Sequence, residues 1–343
     1  MIFTSDNAYG AAPDILESLV RANAGALPSY GGDEITVALG RRMNAVFERD
    51  VAVFPVVSGT AANALALATL VPPHGAVLCH ADAHIAADEC GAVEFFSHGA
   101  RLVTIEGEGG KLTVESIAHA LGRFRAGFVH HSQPTAISLT QASECGTCYR
   151  LDEIAAIAAL ARSHGLKLHM DGARFANAIA HLGCSAAEAT WRSGVDALSF
   201  GATKNGALCA DAVVFFDRDD VRDFEYRRKK SGHLVSKMRF LSAQLSSYLE
   251  EDRWLVSARR ANALAARLGR ALETTPDVEV AYPVEANAVF ARIPEEMAAR
   301  LRAAGAEFYD WSAPADGRTL IRLVCAFATP EADIARFIEI ARA

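Results

Sequence analysis

The chain has 343 residues, 51% of them hydrophobic and 22% charged, which is enough for one large domain and a smaller one with separate cores. The net charge of −7 is modest and no basic run is longer than residues 227–230, so we expect a small polar substrate and no nucleic-acid partner. The chain opens without a leader pattern and has no stretch of about eighteen uncharged apolar residues. We therefore expect no membrane association and a cytoplasmic location.

Short apolar runs recur through the first two thirds of the chain and are typical of buried strands. They cover residues 51–57, 76–80, 101–105, 127–131, 167–170, 197–200 and 212–216. Between most of them lie segments with helical periodicity, including residues 60–70, 113–124, 152–164 and 174–182. This alternation predicts an α/β large domain over residues 1–250, built on a mostly parallel sheet with helices on both faces.

The pattern changes after residue 250. A long helix rich in alanine and arginine is predicted over 254–273, followed by strands at 278–284, 287–293 and 319–326 and by helices at 295–304 and at the C-terminus. Residues 251–343 are therefore predicted to form a smaller α+β domain, with residues 1–15 packing against it.

The cysteines give no sign of a metal site or a disulfide framework. Seven of them lie at scattered positions, and an odd number in a chain of this length favours reduced thiols. Cys145 and Cys148 form a C-x-x-C pair, but there is no second pair and no histidine at metal spacing nearby. We therefore expect no metal.

Ser58-Gly59-Thr60 can be interpreted as a phosphate-binding site, because an apolar predicted strand ends there and a predicted helix begins. Free backbone N–H groups, a glycine without Cβ and two hydroxyls would meet there at the positive end of the helix. The alternative is an ordinary tight turn capped by Ser58 or Thr60. The segment matches neither the dinucleotide nor the nucleoside-triphosphate loop pattern.

Two further polar groups follow later strands. Asp171 and Arg174 come just after residues 167–170, at the strand end where doubly wound sheets bind ligands, although Asp171 could instead cap the next helix. Lys204 follows residues 197–200 among glycine and alanine, where lost hydration would leave its amine available to attack an aldehyde. The alternative is a lysine that reaches solvent.

Together these signals match one cofactor. A phosphate, a pyridine nitrogen that needs an anionic partner and an aldehyde that needs a lysine occur together in pyridoxal 5'-phosphate (PLP). The order of Gly59, Asp171 and Lys204 along successive βα units therefore predicts a PLP site, with Asp171 at the ring nitrogen and Lys204 bonded to the aldehyde.

With these motifs the chain resembles the low-specificity L-threonine aldolases over nearly its whole length. The segments that carry the resemblance are Thr4-Ser5-Asp6-Asn7, Ser29-Tyr30-Gly31, Ser58-Gly59-Thr60, Asp82-Ala83-His84-Ile85, Met170-Asp171-Gly172-Ala173-Arg174, Ser199-Phe200-Gly201-Ala202-Thr203-Lys204-Asn205 and Ile321-Arg322-Leu323-Val324. The resemblance implies the fold-type-I PLP architecture of the aspartate aminotransferase superfamily. It also implies reversible cleavage of β-hydroxy-α-amino acids to glycine and an aldehyde, in a homotetramer built as a dimer of dimers.

The resemblance also implies roles for single residues. Lys204, Asp171 and His84 match the catalytic residues of the family, with His84 stacked on the cofactor ring and proposed to take the substrate hydroxyl proton. Arg174 and Arg322 match the arginines that bind the substrate carboxylate, and Arg174 also contacts the cofactor. Other matches are Ser5 at the substrate carboxylate and, for the cofactor phosphate, Ser58, Gly59, Thr60, Lys229 and Arg239, the last two partly across a subunit interface.

One departure concerns the predicted strand 127–131. Many family members carry a Thr-His-Asn element after the corresponding strand, whereas this chain reads Ser132-Gln133-Pro134-Thr135. We expect the amide of Gln133 to face the cofactor or the substrate hydroxyl in place of that histidine.

Two other functions use the same residues. One is another fold-type-I PLP activity, an aminotransferase or a β-eliminating lyase, against which the context of His84 and Arg174 argues. The other is a non-enzymatic protein of the PLP fold. The intact set of Lys204, Asp171 and His84 argues against that, as does the absence of a helix-turn-helix segment before the fold.

Overall fold

In the part of the chain that the structure describes, the larger of two sheets has seven strands and is mostly parallel. The computed structural model describes residues 1–221 and 223–343. The strands are β1 (Ala52–Val56), β2 (Gly75–His80), β3 (Arg101–Ile105), β4 (Gln133–Thr140), β5 (Lys167–Gly172), β6 (Ala197–Phe200) and β7 (Asp211–Phe215), in the order β1-β7-β6-β5-β4-β2-β3. Only β7 runs against its neighbours, so the carboxyl ends of β2 to β6 share one edge of the sheet.

Helices cover this sheet on both faces, as the alternating pattern predicts. They are α1 (Pro13–Ala22), α2 (Glu34–Val46), α3 (Gly59–Leu70), α4 (His84–Ala87), α5 (Ala92–Phe96), α6 (Val114–Leu121), α7 (Leu151–Ser163), α8 (Phe175–Leu182), α9 (Phe224–Lys230) and α10 (Arg239–Leu249). Residues 61–68 of α3 are all buried, because this helix is apolar around its whole circumference and packs among sheet and helices.

The prediction of a strand at residues 127–131 is wrong. This segment is a surface loop in which Val129 is 91% exposed, and the strand is the next apolar run, β4. Pro134 is tolerated at the second position of β4 because the parallel ladder with β2 is irregular there. Gln133 therefore opens the strand, whereas the sequence analysis placed it after a strand end.

The smaller sheet is antiparallel and belongs to the C-terminal part of the chain. Its strands are β8 (Glu279–Val280), β9 (Ala288–Pro294), β10 (Tyr309–Asp310) and β11 (Arg318–Val324), in the order β10-β11-β9-β8, accompanied by α11 (Arg253–Glu273), α12 (Glu295–Ala303) and α13 (Glu331–Arg342). Helix α11 links the two units, because Trp254 packs in the core of the large sheet while Leu268 packs in that of the small sheet.

The N-terminus packs against the small sheet. The Phe3 N–H donates to the Glu307 carbonyl at 2.8 Å, and the Val324 N–H donates to the Phe3 carbonyl at 2.9 Å. The Phe3 ring is fully buried against Phe337, with 5.2 Å between ring centroids. Among the described residues, no helix has the length and apolarity needed to cross a membrane.

Gly201 allows the ends of β5 and β6 to approach each other. A Cβ at this position would lie 2.6 Å from the Ala173 carbonyl oxygen and 2.7 Å from its Cα, and these are backbone atoms that cannot turn aside. We expect Gly201→Ala to lower the free energy of unfolding by about 1–3 kcal/mol through overpacking. Thermal unfolding measures this loss, and an unchanged melting temperature would contradict it.

Gly40 gives the matched control for that substitution. It lies within α2, and apart from its chain neighbours and the backbone of that helix no described atom lies within 4 Å of the position its Cβ would take. Gly40→Ala should stabilise the protein by about 0.5–1 kcal/mol, because alanine loses less conformational entropy in a helix. The two substitutions add the same methyl group, so opposite signs would isolate the steric effect at Gly201.

Candidate active site

A cavity of about 400 Å³ opens at the carboxyl ends of β5 and β6, beside the N-terminus of α3. The sequence-predicted residues that line it are Ser58, Gly59, Thr60, His84, Asp171 and Lys204. They come from separate βα units and meet here because the parallel strands end at one edge of the sheet.

The N-terminus of α3 supplies backbone donors to the cavity. Ser58 caps the helix by accepting a hydrogen bond from the Ala61 N–H at 3.3 Å, and its own hydroxyl proton stays available. Apart from its chain neighbours and the backbone of its own helix, no described atom lies within 4 Å of the position that a Cβ of Gly59 would take. The first N–H groups of the helix, which have no intrahelical partner, are therefore accessible to an anion.

Asp171 is 3% exposed and each of its oxygens has a donor. The Ala173 N–H donates to Oδ1 at 3.0 Å, and Asn63 Nδ2 donates to Oδ2 at 2.8 Å. His169 lies two residues earlier on the same face of β5, with its ring nitrogens at 2.9 Å from Ser138 Oγ and 3.0 Å from Ser199 Oγ. Burial lowers the pKa of His169 to about 4, so this ring is neutral.

Lys204 lies in a short 3-10 turn soon after β6. Hydrogen bonds fix the backbone before the lysine and the residue after it. Asp211 accepts hydrogen bonds from the backbone N–H groups of Ala202 and Thr203 at 2.8 and 3.1 Å. Asn205 donates to the Tyr248 hydroxyl and to the Trp254 carbonyl, both at 2.8 Å. The backbone that carries the lysine is therefore fixed by buried polar contacts.

His84 begins α4 and points one ring nitrogen at a buried acid. Its Nδ1 lies 2.8 Å from Glu89 Oε1, and Glu89 is 4% exposed. The hydrogen bond to Glu89 raises the pKa of His84 above its ordinary value, and burial opposes this only in part. The imidazole is thus a stronger base than a free histidine.

The two predicted arginines, Arg174 and Arg322, lie outside the cavity lining, although Arg174 directly follows Ala173, which lines it. Arg174 is paired with buried Asp6, with Nε at 2.9 Å from Oδ2 and Nη2 at 3.1 Å from Oδ1. Arg322 lies over the Tyr309 and Trp311 rings, at 5.5 and 5.0 Å from their centroids. Burial and the neighbouring Arg174 lower the pKa of Arg322, so an anion between the two guanidinium groups would relieve their repulsion.

Comparison with known proteins identifies the family. Residues 3–296 match the model of the β-eliminating lyase family. The low specificity L-threonine aldolase of Pseudomonas aeruginosa is 45% identical over 341 residues, covering 99% of this chain and 96% of its own length. That of Pseudomonas sp. strain NCIMB 10558 is 43% identical and covers 97% and 94%. This chain belongs to the low-specificity L-threonine aldolases of the β-eliminating lyase family.

Solved structures agree with this threonine aldolase family assignment. Leishmania major threonine aldolase superimposes with a TM-score of 0.94 at 28% identity, covering 99% of this chain and 98% of that one. The serine palmitoyltransferase of Sphingomonas wittichii has a TM-score of 0.72 at 15% identity and covers 100% and 86%, a likeness of fold alone. The fold is therefore that of the fold-type-I PLP enzymes, as the sequence analysis predicts.

Gln133 does not face the cavity of this threonine aldolase. It pairs with Gly75 at the start of β2, while Thr140 at the other end of β4 pairs with Asp171. At about 3.3 Å per strand residue, the two ends of β4 are roughly 23 Å apart. The Gln133 amide bonds to its own loop, accepting from the Gly127 N–H at 3.0 Å. The predicted cofactor or substrate contact of Gln133 is therefore wrong.

Several other predicted residues lie outside the cavity lining of this chain. Ser5 accepts a hydrogen bond from the Asn7 N–H at 3.1 Å, next to Asp6. The Lys229 Nζ lies 4.6 Å from the centroid of the Tyr30 ring, and Arg239 donates to the Gly25 carbonyl at 3.1 Å. A phosphate contact by Lys229 or Arg239 stays a prediction that involves a second subunit.

Sequence reasoning missed the acids and the amide that hold the site together. These are Asp6, Asn63, Glu89 and Asp211, all buried. The only local signal was their spacing, since Asn63 falls one helical turn after Gly59 and Glu89 falls soon after His84. No three His, Cys, Asp or Glu side chains of the described part of the chain cluster as a metal site requires.

Proposed function

We propose that this chain is a PLP-dependent low-specificity L-threonine aldolase. It cleaves L-threonine, L-allo-threonine and related β-hydroxy-α-amino acids reversibly to glycine and an aldehyde. The observation that carries the proposal is the meeting of Lys204, Asp171 and the α3 N-terminus around one cavity, in a chain 45% identical to a low specificity L-threonine aldolase.

The residues around the cavity fit PLP. The unpaired N–H groups at Gly59 and Thr60 and the hydroxyl of Ser58 suit a phosphate. The acceptor-only carboxylate of Asp171 suits a protonated ring nitrogen, and the amine of Lys204 suits the aldehyde. PLP supplies an electron sink for the breaking Cα–Cβ bond.

The remaining residues would bind and orient the substrate. Arg322 lies close enough to Arg174 for that charge to lower its pKa, and Arg322 Nε is buried without a partner among the described residues. A substrate carboxylate would supply the acceptor that Arg322 Nε lacks. The Ser5 hydroxyl donates at 3.4 Å to Asp6, the acid that pairs with Arg174, so Ser5 lies near the same arginines. His84 would accept the proton of the Cβ hydroxyl.

We expect Arg322→Lys to raise KM for L-threonine by about tenfold or more with a smaller change in kcat. An ammonium lacks the planar two-donor edge of guanidinium, and one charge-assisted hydrogen bond contributes about 1.5–3 kcal/mol. Steady-state kinetics measure the change. Arg318→Lys is the matched control on the same strand, because Arg318 donates to the Asp277 carbonyl at the other end of β11. Equal KM values for both variants would contradict the assignment.

The reaction is tested by incubating the purified protein with PLP and either L-threonine or L-allo-threonine. Equal amounts of acetaldehyde and glycine are the expected products. An aminotransferase would instead need a keto acid as acceptor, and a β-eliminating lyase would release ammonia and a keto acid. A protein that binds PLP but forms none of these products would be non-enzymatic, and any of these outcomes would overturn the proposal.

We also propose that the protein is a cytoplasmic homotetramer, a dimer of dimers, that acts on small amino acids. Exposed apolar side chains on α1 and α2, including Leu16, Val20 and Val37, support a face that another subunit covers. In such an assembly Lys229 and Arg239 would reach the phosphate held by a partner subunit. Light scattering coupled to size-exclusion chromatography measures the subunit number, and a monomer would exclude this role.

A further inference from the structure

A chain of short hydrogen bonds joins His84 to Asp171 through two residues that the proposed reaction does not yet use. His84 Nδ1 lies 2.8 Å from Glu89 Oε1, and the same oxygen accepts from Asn63 Nδ2 at 2.9 Å. Asn63 Nδ2 also donates to Asp171 Oδ2 at 2.8 Å. Asn63 and Glu89 are 2% and 4% exposed, and all four residues line the cavity.

The chemistry of these groups fixes the direction of each bond. An ionised carboxylate only accepts, so the amide between Glu89 and Asp171 must present its two N–H groups to them. For the same reason the proton shared by His84 and Glu89 resides on Nδ1. The lone pair of a neutral His84 is therefore on Nε2, the ring nitrogen that Glu89 does not contact.

Charged groups around the imidazole act in both directions. Glu89 has the largest effect and raises the pKa of His84, Asp171 and Glu144 raise it further, and burial and Lys204 lower it. Burial raises the pKa of Glu89 itself, with His84 and Asn63 opposing. The 2.8 Å contact with Glu89 therefore favours the protonated ring over the neutral one.

Two buried oxygens of this network have no partner among the described residues. They are Glu89 Oε2 and Asn63 Oδ1. An unsatisfied buried acceptor costs about 1–3 kcal/mol, so apolar side chains would stabilise the fold better at these positions. Such a cost is typical of groups that serve a function of the site.

We propose that Glu89 is a positioning residue, which sets the tautomer and basicity of His84 so that Nε2 accepts the substrate hydroxyl proton. Asn63 ties this acid to Asp171, so the base and the anchor of the cofactor ring are oriented by one network. This inference rests on the proposed function. The proton that leaves the hydroxyl is matched by the proton that Cα gains when glycine forms, and the Nδ1 proton stays between His84 and Glu89.

The test is Glu89→Gln in the PLP-loaded enzyme. Glutamine can keep a carbonyl oxygen toward Asn63 and His84 while it removes the charge, so the substitution isolates the electrostatic effect. We expect kcat for L-threonine to fall by about tenfold to a thousandfold, less than the roughly hundredfold to ten-thousandfold that a general base contributes in full, while KM changes less than about threefold. Loss of the acid also lowers the pKa of His84, so the acid limb of the kcat profile should move to lower pH.

A second readout does not depend on activity. In protein labelled with ¹⁵N-histidine, the nitrogen shifts of His84, assigned with His84→Asn, report its tautomer and titration. We expect the Nδ1–H form in the parent protein and a lower titration midpoint in Glu89→Gln. If the parent protein forms no acetaldehyde, the proposed function fails, while these shifts still decide whether Glu89 controls His84.

Controls separate positioning from a structural role. Glu153→Gln removes a partly buried carboxylate that lies outside the cavity lining and is paired with Lys111, with 2.9 Å between Oε2 and Nζ. This substitution should leave kcat, its pH profile and the titration of His84 unchanged. Glu89→Asp keeps the charge and should retain more activity than Glu89→Gln. It also keeps the proposal testable if glutamine at this position prevents folding. Unchanged kcat and His84 titration in Glu89→Gln, or equal losses in Glu89→Asp and Glu89→Gln, would overturn the proposal.

Discussion

Replacing Lys204 by alanine is expected to abolish both the yellow colour of the PLP-loaded protein and its cleavage of L-threonine. The amine sits in a turn pinned by Asp211 and Asn205, and no other lysine lines the cavity in the described part of the chain. Loss of a covalent nucleophile lowers kcat by at least about three orders of magnitude in well-studied enzymes.

The measurement combines the visible spectrum with borohydride reduction and peptide mapping of the trapped lysine. In the parent protein the label should be found on the peptide that contains Lys204. Lys230→Ala is the matched control, because Lys230 is an exposed lysine at the end of α9. Retention of colour and activity in Lys204→Ala, or a label on another peptide, would refute the site.

Asp171→Asn is expected to depress turnover far more than stability. A neutral amide cannot hold the ring nitrogen in its protonated state, and losing a charge-assisted hydrogen bond of about 3 kcal/mol corresponds to roughly a hundredfold in kcat. Asparagine also cannot accept from both the Ala173 N–H and Asn63, which donate to different oxygens of Asp171. One donor is left unpaired, so a loss of about 1–3 kcal/mol in stability is expected as well.

Kinetics, PLP affinity and thermal unfolding of the same variant separate the two effects. Asp33→Asn is the control, since Asp33 is 1% exposed and caps α2 by accepting from the Thr36 N–H at 2.8 Å, outside the cavity lining. Asparagine also caps helices, but it lacks the second acceptor oxygen, to which the Thr36 hydroxyl donates at 2.9 Å. The control should therefore lose about 1 kcal/mol of stability and keep its kcat. A kcat for Asp171→Asn within a few-fold of the parent value would show that Asp171 does not hold the ring nitrogen.

The placement of the main site residues could be predicted because it depends on local pattern. Gly59, Asp171 and Lys204 each follow an apolar run, and the carboxyl ends of parallel strands meet at one edge of the sheet. The same reasoning failed for Gln133, since two neighbouring apolar segments competed for one place in the sheet. Periodicity could not tell that residues 127–131 would stay on the surface while β4 entered the core.

The sequence by itself determined the family, the alternating α/β order and the residues at the strand ends, because these are encoded in short segments. Only the tertiary structure revealed the groups that orient them. Asn63 meets Glu89 across 26 residues and Asp6 meets Arg174 across 168, and no local pattern carries such pairings. Buried polar groups must find partners wherever the chain brings them together, so these contacts follow from the packing of the whole fold.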